Sequence, residues 1–439
     1  MVQKHYVTVL NQRCRFFRYL FFFQHTRISP CTERQNIAFT VNKLDATRHL
    51  ASLCDGYSNI LIVADQNTYK VGGEKVEKEI SKKIVKKVIF SGETVLIPNE
   101  IAIDKIKENL DGIDLIVGIG SGVIQDLCKF VSFYEKVPYY IVATAPSMDG
   151  YASTVAAMIL GGMKISHITK VPEAIIADTD ILKNAPLDMI KSGYGDVFGK
   201  ISALNDWKLS NLIFGEKLCD YVYNLTKEML NATIPLAEKL IARDEESIKI
   251  LTEALIGVGV AMAYNENSRP ASGCEHHIAH FFELNGIMNN EPYFPHGTDV
   301  AYSTVISCAV REKLLNADFN VQQFLMFDSD YYRGIKDAYG KIADECIEIQ
   351  RKANNYGRHR IPLYREKEKE IKEILSEVPS TDEAIALLDK IGLPMDDFYN
   401  NYKKEILDKA VIYAKDLRDR FTALWMYYDI FGTESLNLK

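Results

Sequence analysis

The chain has 439 residues, 47% hydrophobic and 25% charged, which is length for two or three domains and ample apolar material for a core. A net charge of −7 and a pI near 5.8 leave no basic stripe that would point to nucleic acid, and no run approaches the roughly 18–20 uninterrupted apolar residues of a membrane helix. Cysteines at 14, 31, 54, 128, 219, 274, 308 and 346 form no C-x-x-C pair, so free thiols in a reducing cytoplasm are expected rather than a disulfide framework.

Residues 1–34 read as an extension outside the main fold. "CRFFRYLFFF" (14–23) is aromatic and apolar, but Arg18 interrupts it and no convincing cleavage site follows. From 35 to 185 short apolar runs alternate with helical patterns. "NILIVAD" (59–65), "KVIFS" (87–91), "DLIVGIG" (114–120), "YYIVATA" (139–145) and "AIIAD" (174–178) are continuous rather than alternating, which predicts strands buried on both faces of a parallel sheet. From 186 to 439 the periodicity is helical with almost no strand pattern. "STDEAIALLDKIGLP" opens on a capping box, Ser380 with Glu383. The predicted fold is therefore an α/β nucleotide-binding domain over 35–185 followed by an all-α domain over 186–439. Ligands of such enzymes collect at the carboxyl ends of the strands, in the cleft between domains.

Three features carry chemistry. "VGIGSGVIQDLCKF" (117–130) is a strand, a glycine turn and a helix start, a place where backbone N–H groups meet a pyrophosphate. Its G-x-G-x-G spacing is not the Rossmann G-x-G-x-x-G, so a plain strand–helix turn is an equal reading. Asp126, one turn into the helix, faces either the ligand or solvent. Asp65 closes "NILIVAD", where a carboxylate binds an adenosine ribose 2′-OH and repels a 2′-phosphate. "ATAPSMDGYAS" (143–153), with Thr144, Ser147 and Asp149, is a ligand loop or an ordinary turn.

The third feature is "ASGCEHHIAHFFE" (271–283). His276 and His280 are four apart and share a helix face, whereas His277 points elsewhere. His296 follows in "FPHGTDV", and Asp196 precedes in "SGYGDVFGK". One Asp and two His from three elements suit a catalytic Zn²⁺ or another first-row divalent ion with an open position. Histidines with no ligand role would read the same way from spacing alone. Cys274 is either a reactive thiol or a small buried hydrophobe, the latter favoured.

Together "GIGSGVIQDLCKF", "ATAPSMDGYAS", "IIADTDILKNAP", "GYGDVFGKISALNDWKLS", "SRPASGCEHHIAHF" and "LRDRFTALWMYYDIFG" resemble the bacterial-type sn-glycerol-1-phosphate dehydrogenases. That family lies within the iron-type alcohol dehydrogenase, glycerol dehydrogenase and dehydroquinate synthase superfamily. The resemblance implies the dehydroquinate synthase-like two-domain architecture, NAD (NADP in some members), and one divalent metal, zinc, nickel or iron. It implies interconversion of dihydroxyacetone phosphate and sn-glycerol 1-phosphate by hydride transfer at C2, and a homodimer. By motif the metal ligands fall on Asp196, His276 and His296. Gly120, Ser121, Gly122 and Asp126 fall on the pyrophosphate loop, Asp65, Thr144 and Ser147 on the cofactor, and Asp149 on the substrate side. His280 and Lys200 are expected near the reacting centre. Arg269 and Lys164 are candidates for the substrate phosphate, with Arg269 alternatively positioning its own loop. "FPHG" departs from the usual Leu before the His-Gly. The alternatives are a dehydrogenase of an unphosphorylated polyol such as glycerol, a dehydroquinate synthase-like lyase, and a ligand sensor.

Overall fold

A computed structural model describes residues 38–42, 47, 49–161, 163–325, 327–436 and 438, with the backbone alone at 38–42 and 163–165. The expectation about the 1–34 extension lies outside the described residues. The chain divides into two compact units. The first runs to Ile190 and includes Lys239–Asn267; the second comprises Lys191–Glu238 and Ser268–Lys439.

The first unit is built on a six-stranded parallel sheet. Its strands are β1 (Ala38–Asn42), β2 (Ile60–Asp65), β3 (Ile84–Phe90), β4 (Leu115–Gly120), β5 (Tyr139–Ala143) and β8 (Ala174–Asp178), in the order β1-β8-β5-β4-β2-β3. Every residue of β4, β5 and β8 is buried, as a sheet covered on both faces demands. Ile62, Ile119, Val142 and Ile176 join one apolar cluster with Leu50 and Val76. A separate antiparallel ribbon pairs β6 (Val155–Leu160) with β7 (Met163–Ile168) through a two-residue connection that starts at Gly161, φ +59.

Helix α1 (Gly122–Glu135) follows β4 and lies close against it. A Cβ on Gly118 would come within 2.8 Å of the Cys128 sulfur, and one on Gly120 within 2.5 Å of Ile124 Cβ. Those two glycines therefore let the helix reach its own strand. On Gly122 the nearest atom to a Cβ is Met148 Cγ at 3.9 Å, so this glycine alone faces open space.

After α2 (Leu187–Phe198) and α3 (Lys200–Phe214) the chain returns to the first unit for α4 (Glu245–Asn265). The single boundary expected after residue 185 thus differs from the observed division. The reason is that α4 is buried without a break from Leu251 to Ala263, a stretch whose only charged residue is Glu253, and so must be enclosed. By length and composition it would span a bilayer, yet 89% of its apolar window is buried within the protein. Its seat is the 3-10 turn Asp149–Ala152, because a Cβ on Gly259 would stand 2.7 Å from the Asp149 carbonyl oxygen and 3.0 Å from the Ala152 nitrogen. Gly259→Val should therefore cost about 1–3 kcal/mol through overpacking against backbone. Urea unfolding measures this as a fall in midpoint, and an unchanged midpoint would refute the close packing.

The second unit is helical. It includes α5 (Cys274–Asn289), α6 (His296–Leu315) and α7 (Ala423–Phe431). The capping box read at Ser380 and Glu383 is formed, and Gly392 closes that stretch at φ +72.

Candidate functional site

In the first unit the predicted cofactor residues gather at the carboxyl ends of three adjacent strands, β2, β4 and β5. Asp65 ends β2, Gly120 ends β4, and the Thr144 N–H donates to the Gly120 carbonyl at 3.2 Å. Ser121 is the N-cap of α1 without a side-chain cap bond, so the first N–H groups of that helix are not capped by it. With Gly122 open beside them, they have the geometry of an anion site. The Asp65 carboxylate accepts from the N–H groups of Asn67 and Thr68, at 2.8 and 2.9 Å, and so also caps a short helix. Asp126 is not at this edge. It accepts from the Ala157 N–H at 3.2 Å and lies 3.7 Å from Lys129, tying α1 to the β6–β7 ribbon.

Ser147 and Asp149 are both buried on the loop after β5. That loop is held from α1 by two residues that the sequence reading passed over. Lys129, fully buried, donates to the carbonyls of Gly150 and Val155, each at 2.8 Å, and to Ser153 Oγ at 3.2 Å. Gln125 donates to the Tyr151 carbonyl at 2.8 Å. A lysine in an apolar run carries no sequence mark of such a role. Lys164 is in β7, and its side chain lies outside the described residues.

In the second unit Asp196, His276 and His296 offer ligand atoms that all lie within 4.8 Å of one another. Two glycines beside ligands make this possible. A Cβ on Gly195 would overlap the Gly297 carbonyl oxygen, and one on Gly297 would overlap the Ser192 carbonyl oxygen, so α2 and the start of α6 meet backbone to backbone. The Gly297 N–H donates to Ser192 Oγ at 3.1 Å. Asp196 and His296 each sit next to one of these glycines and are carried together by the crossing.

The protonation states suit metal ligation. His276 is buried, and its Nδ1 lies 2.7 Å from Glu275 Oε1, which also accepts from the Gly273 N–H at 2.8 Å. With the Nδ1 proton donated to Glu275, the Nε2 lone pair faces Asp196 Oδ1 at 3.7 Å. Burial, together with Lys200 and His296, pushes the His276 pKa well below the usual histidine range, which keeps the imidazole neutral and able to ligate. Burial would raise the Asp196 pKa, but Lys200, His296 and His276 outweigh it and hold the carboxyl far below the carboxylate range. Lys200 Nζ lies 2.7 Å from Asp196 Oδ1 and donates to the Ala271 carbonyl at 3.1 Å, so it joins the ligand set to the loop preceding α5.

His280 completes the imidazole cluster. Its ring stacks on His296 at 5.2 Å and stands 6.0 Å from His276. Its Nδ1 is 3.3 Å from Glu283 Oε2, and His280, Glu283 and His296 form a second group close enough to hold an ion. Arg269 is 2% exposed, donates to the carbonyls of Asp206 and Phe421, each at 2.9 Å, and lies 3.1 Å from Glu216. This supports its loop-positioning reading over direct phosphate contact. Cys274 is fully buried, and burial pushes its thiol pKa well up, so it behaves as a packed hydrophobe. Glu275 was the principal residue missed. Its position beside His276 in "CEHH" was the only mark available.

A family profile described as iron-containing alcohol dehydrogenase matches residues 40–186. A protein from Halalkalibacterium halodurans named glycerol-1-phosphate dehydrogenase NAD(P)+ is 35% identical over 267 residues, 58% of this chain and 65% of that one. One of the same name from Bacillus velezensis is 30% identical over 392 residues, 87% of this chain and 88% of that one. Among solved structures, glycerol dehydrogenase from Schizosaccharomyces pombe superposes with a TM-score of 0.59 at 17% identity, covering 92% of each chain, which is a likeness of fold.

Proposed function

The chain belongs to the glycerol-1-phosphate dehydrogenase family, and from that premise we propose that it interconverts dihydroxyacetone phosphate and sn-glycerol 1-phosphate with NAD(P)H. The observation that carries the reading is the set of buried Asp196, buried His276 and half-buried His296, whose ligand atoms lie within 4.8 Å of one another. An enzyme of this class is an NAD(P)-dependent oxidoreductase.

The donor set fits a divalent metal. One carboxylate and two imidazoles suit zinc, nickel or iron, and Glu275 fixes the His276 tautomer as metal-binding histidines require. When bound, such an ion supplies Lewis-acid polarisation of the ketone, and the nicotinamide supplies the hydride. The chain's own residues do the rest. Asp196 provides the negative charge of the site, Lys200 holds that carboxylate in place, and His280 is positioned by Glu283 to pass a proton to the C2 oxygen. Lys129 and Gln125 hold the loop that presents Asp149.

The cofactor face follows from Asp65, Gly120, Ser121, Gly122, Thr144 and Ser147. Asp65 supports NAD over NADP by repelling a 2′-phosphate. Asp65→Ser keeps a capping oxygen and loses the charge. The ratio of kcat/KM for NADPH to that for NADH should rise about tenfold, the size of one relieved like-charge contact. An unchanged ratio in steady-state assays would remove Asp65 from cofactor selection. The described cysteines are all free, which supports the reducing cytoplasm inferred from their spacing.

The substrate class is tested by comparing dihydroxyacetone phosphate with dihydroxyacetone in NADH oxidation assays on metal-loaded protein. Preference for the phosphorylated ketone is expected. Turnover of dihydroxyacetone alone would move the protein to the glycerol-type enzymes.

A further inference from the structure

The turn that delivers His296 has no side chain of its own to cap it. Helix α6 opens at Pro295, which as N-cap offers no side-chain acceptor to the first N–H groups. The preceding residues, "NEPYF" (290–294), form neither helix nor strand, and all but Phe294 are exposed. What fixes this turn comes from a residue more than a hundred positions later in the chain.

Tyr402 follows the helix Met395–Asn401 and is 7% exposed. Its hydroxyl donates to Asp299 Oδ1 at 2.8 Å and accepts from the Phe294 N–H at 3.4 Å. Phe294 is the residue before the cap and Asp299 the fourth of the helix. A contact between those two positions sets the angle at which a chain enters a helix, and is ordinarily made by two apolar side chains. Here it runs through a tyrosine oxygen, and His296 lies between the two residues joined.

The Tyr402 ring has a second role. It stacks on Phe282 of α5, the helix that carries His276 and His280, with centroids 4.3 Å apart. The aromatic in "FPHG" finds its partners here too, since the Phe294 ring stands 5.8 Å from Tyr402 and 5.2 Å from Tyr302. Asn401 donates to the Pro292 carbonyl at 3.3 Å, and the Glu291 N–H donates to the Gly286 carbonyl at 2.9 Å, folding the loop back on α5. One tyrosine thus touches the helix bearing His276 and both sides of the turn bearing His296.

We propose that Tyr402 is a positioning residue for the metal site, and that its hydroxyl sets the approach of His296 to His276. It acts through the turn. The role of His296 as a ligand rests on the function proposed above; the geometry of the turn does not.

The test uses the full chain, stripped of metal and titrated with zinc against a chelating indicator. Tyr402→Phe removes the hydroxyl and keeps the ring on Phe282. Tyr339→Phe is the control. Tyr339 is fully buried, its hydroxyl donates to the Tyr413 carbonyl at 2.8 Å, and its ring packs on Phe281 of α5 at 5.7 Å, contacts that do not involve the turn. Each variant should lower the Tm by about 2–4 °C, the cost of one buried hydrogen bond in a unit of this size. Zinc affinity should fall about tenfold in Tyr402→Phe, the low end of the loss when a residue that orients a metal ligand is removed, and stay at the wild-type value in Tyr339→Phe. NADH oxidation by Tyr402→Phe should fall at limiting zinc and recover in excess, because every ligand is still present. Wild-type affinity in Tyr402→Phe, or an equal loss in both variants, would overturn the positioning role. His296→Ala, titrated alongside, separates the two claims. If affinity is lost there and held in Tyr402→Phe, the positioning role alone fails. If affinity is held in His296→Ala, the ligand assignment fails and the proposal with it.

Discussion

Replacing Asp196 by asparagine should lower kcat/KM for dihydroxyacetone phosphate by about a thousandfold, the scale of the several kcal/mol a metal's charge stabilisation supplies. Asparagine keeps the shape and one oxygen. It loses the negative charge that holds Lys200 at 2.7 Å and faces His276 Nε2 at 3.7 Å. Two imidazoles and an ammonium would then surround a neutral group, and a divalent ion would enter against an uncompensated positive field. Bound metal per chain, measured alongside the rate, should fall in parallel.

The pH dependence follows from the same groups. Asp196 has a depressed pKa, so its contribution is complete above the unfolded carboxylate value of about 3.9 and is lost only as pH falls through the folded value below it. His276 is also depressed, so it stays neutral on acidification through about pH 6.5, and the cost of keeping it neutral lowers folding stability below that pH. A loss of metal between pH 7 and 6 would therefore not arise from either residue. An Asp196→Asn protein with full metal content and full rate would refute the ligand assignment.

Removing the Glu275 carboxylate should weaken metal binding by about 10- to 100-fold, the usual cost of losing the partner of a ligating histidine. Glu275→Ala should show the full effect. Glu275→Gln should fall between, because an amide oxygen still accepts from Nδ1 but without charge. Glu275 is fully buried and also holds the Gly273 N–H at 2.8 Å, so stability will fall as well. A competition titration against a chelating indicator separates the two effects. Reduced stability with unchanged metal affinity in both variants would leave Glu275 a purely structural residue.

Much of the first unit was legible because β2, β4, β5 and β8 are covered on both faces and must read as unbroken apolar runs. The β6–β7 ribbon was not, since β6 is buried on alternate residues only and contains alanines that suit a helix equally well. The enclosure of α4 within the first unit was also hidden. Its composition declares that it is buried but not by what, and the decisive contact, Gly259 on the Asp149 carbonyl, spans more than a hundred residues of sequence. Helical spacing placed His276 and His280 on one face, and their rings are neighbours. Nothing in spacing could show that Gly195 and Gly297 bring Asp196 to His296. Glu275 escaped because a residue adjacent to a ligand belongs on another helix face, whereas its long side chain turns back to Nδ1. In the glycine loop, spacing did not show that Gly118 and Gly120 also serve packing of α1 on β4, where a Cβ would meet Cys128 and Ile124, whereas one on Gly122 would meet nothing nearer than Met148 Cγ at 3.9 Å.

The most direct test of the central claim is the enantiomer of the product formed from NADH and dihydroxyacetone phosphate by metal-loaded protein, with Asp196→Asn assayed beside it. The account predicts sn-glycerol 1-phosphate from wild type and almost none from the variant. An sn-3 product, or no NADH consumption with zinc, nickel or iron, would contradict it.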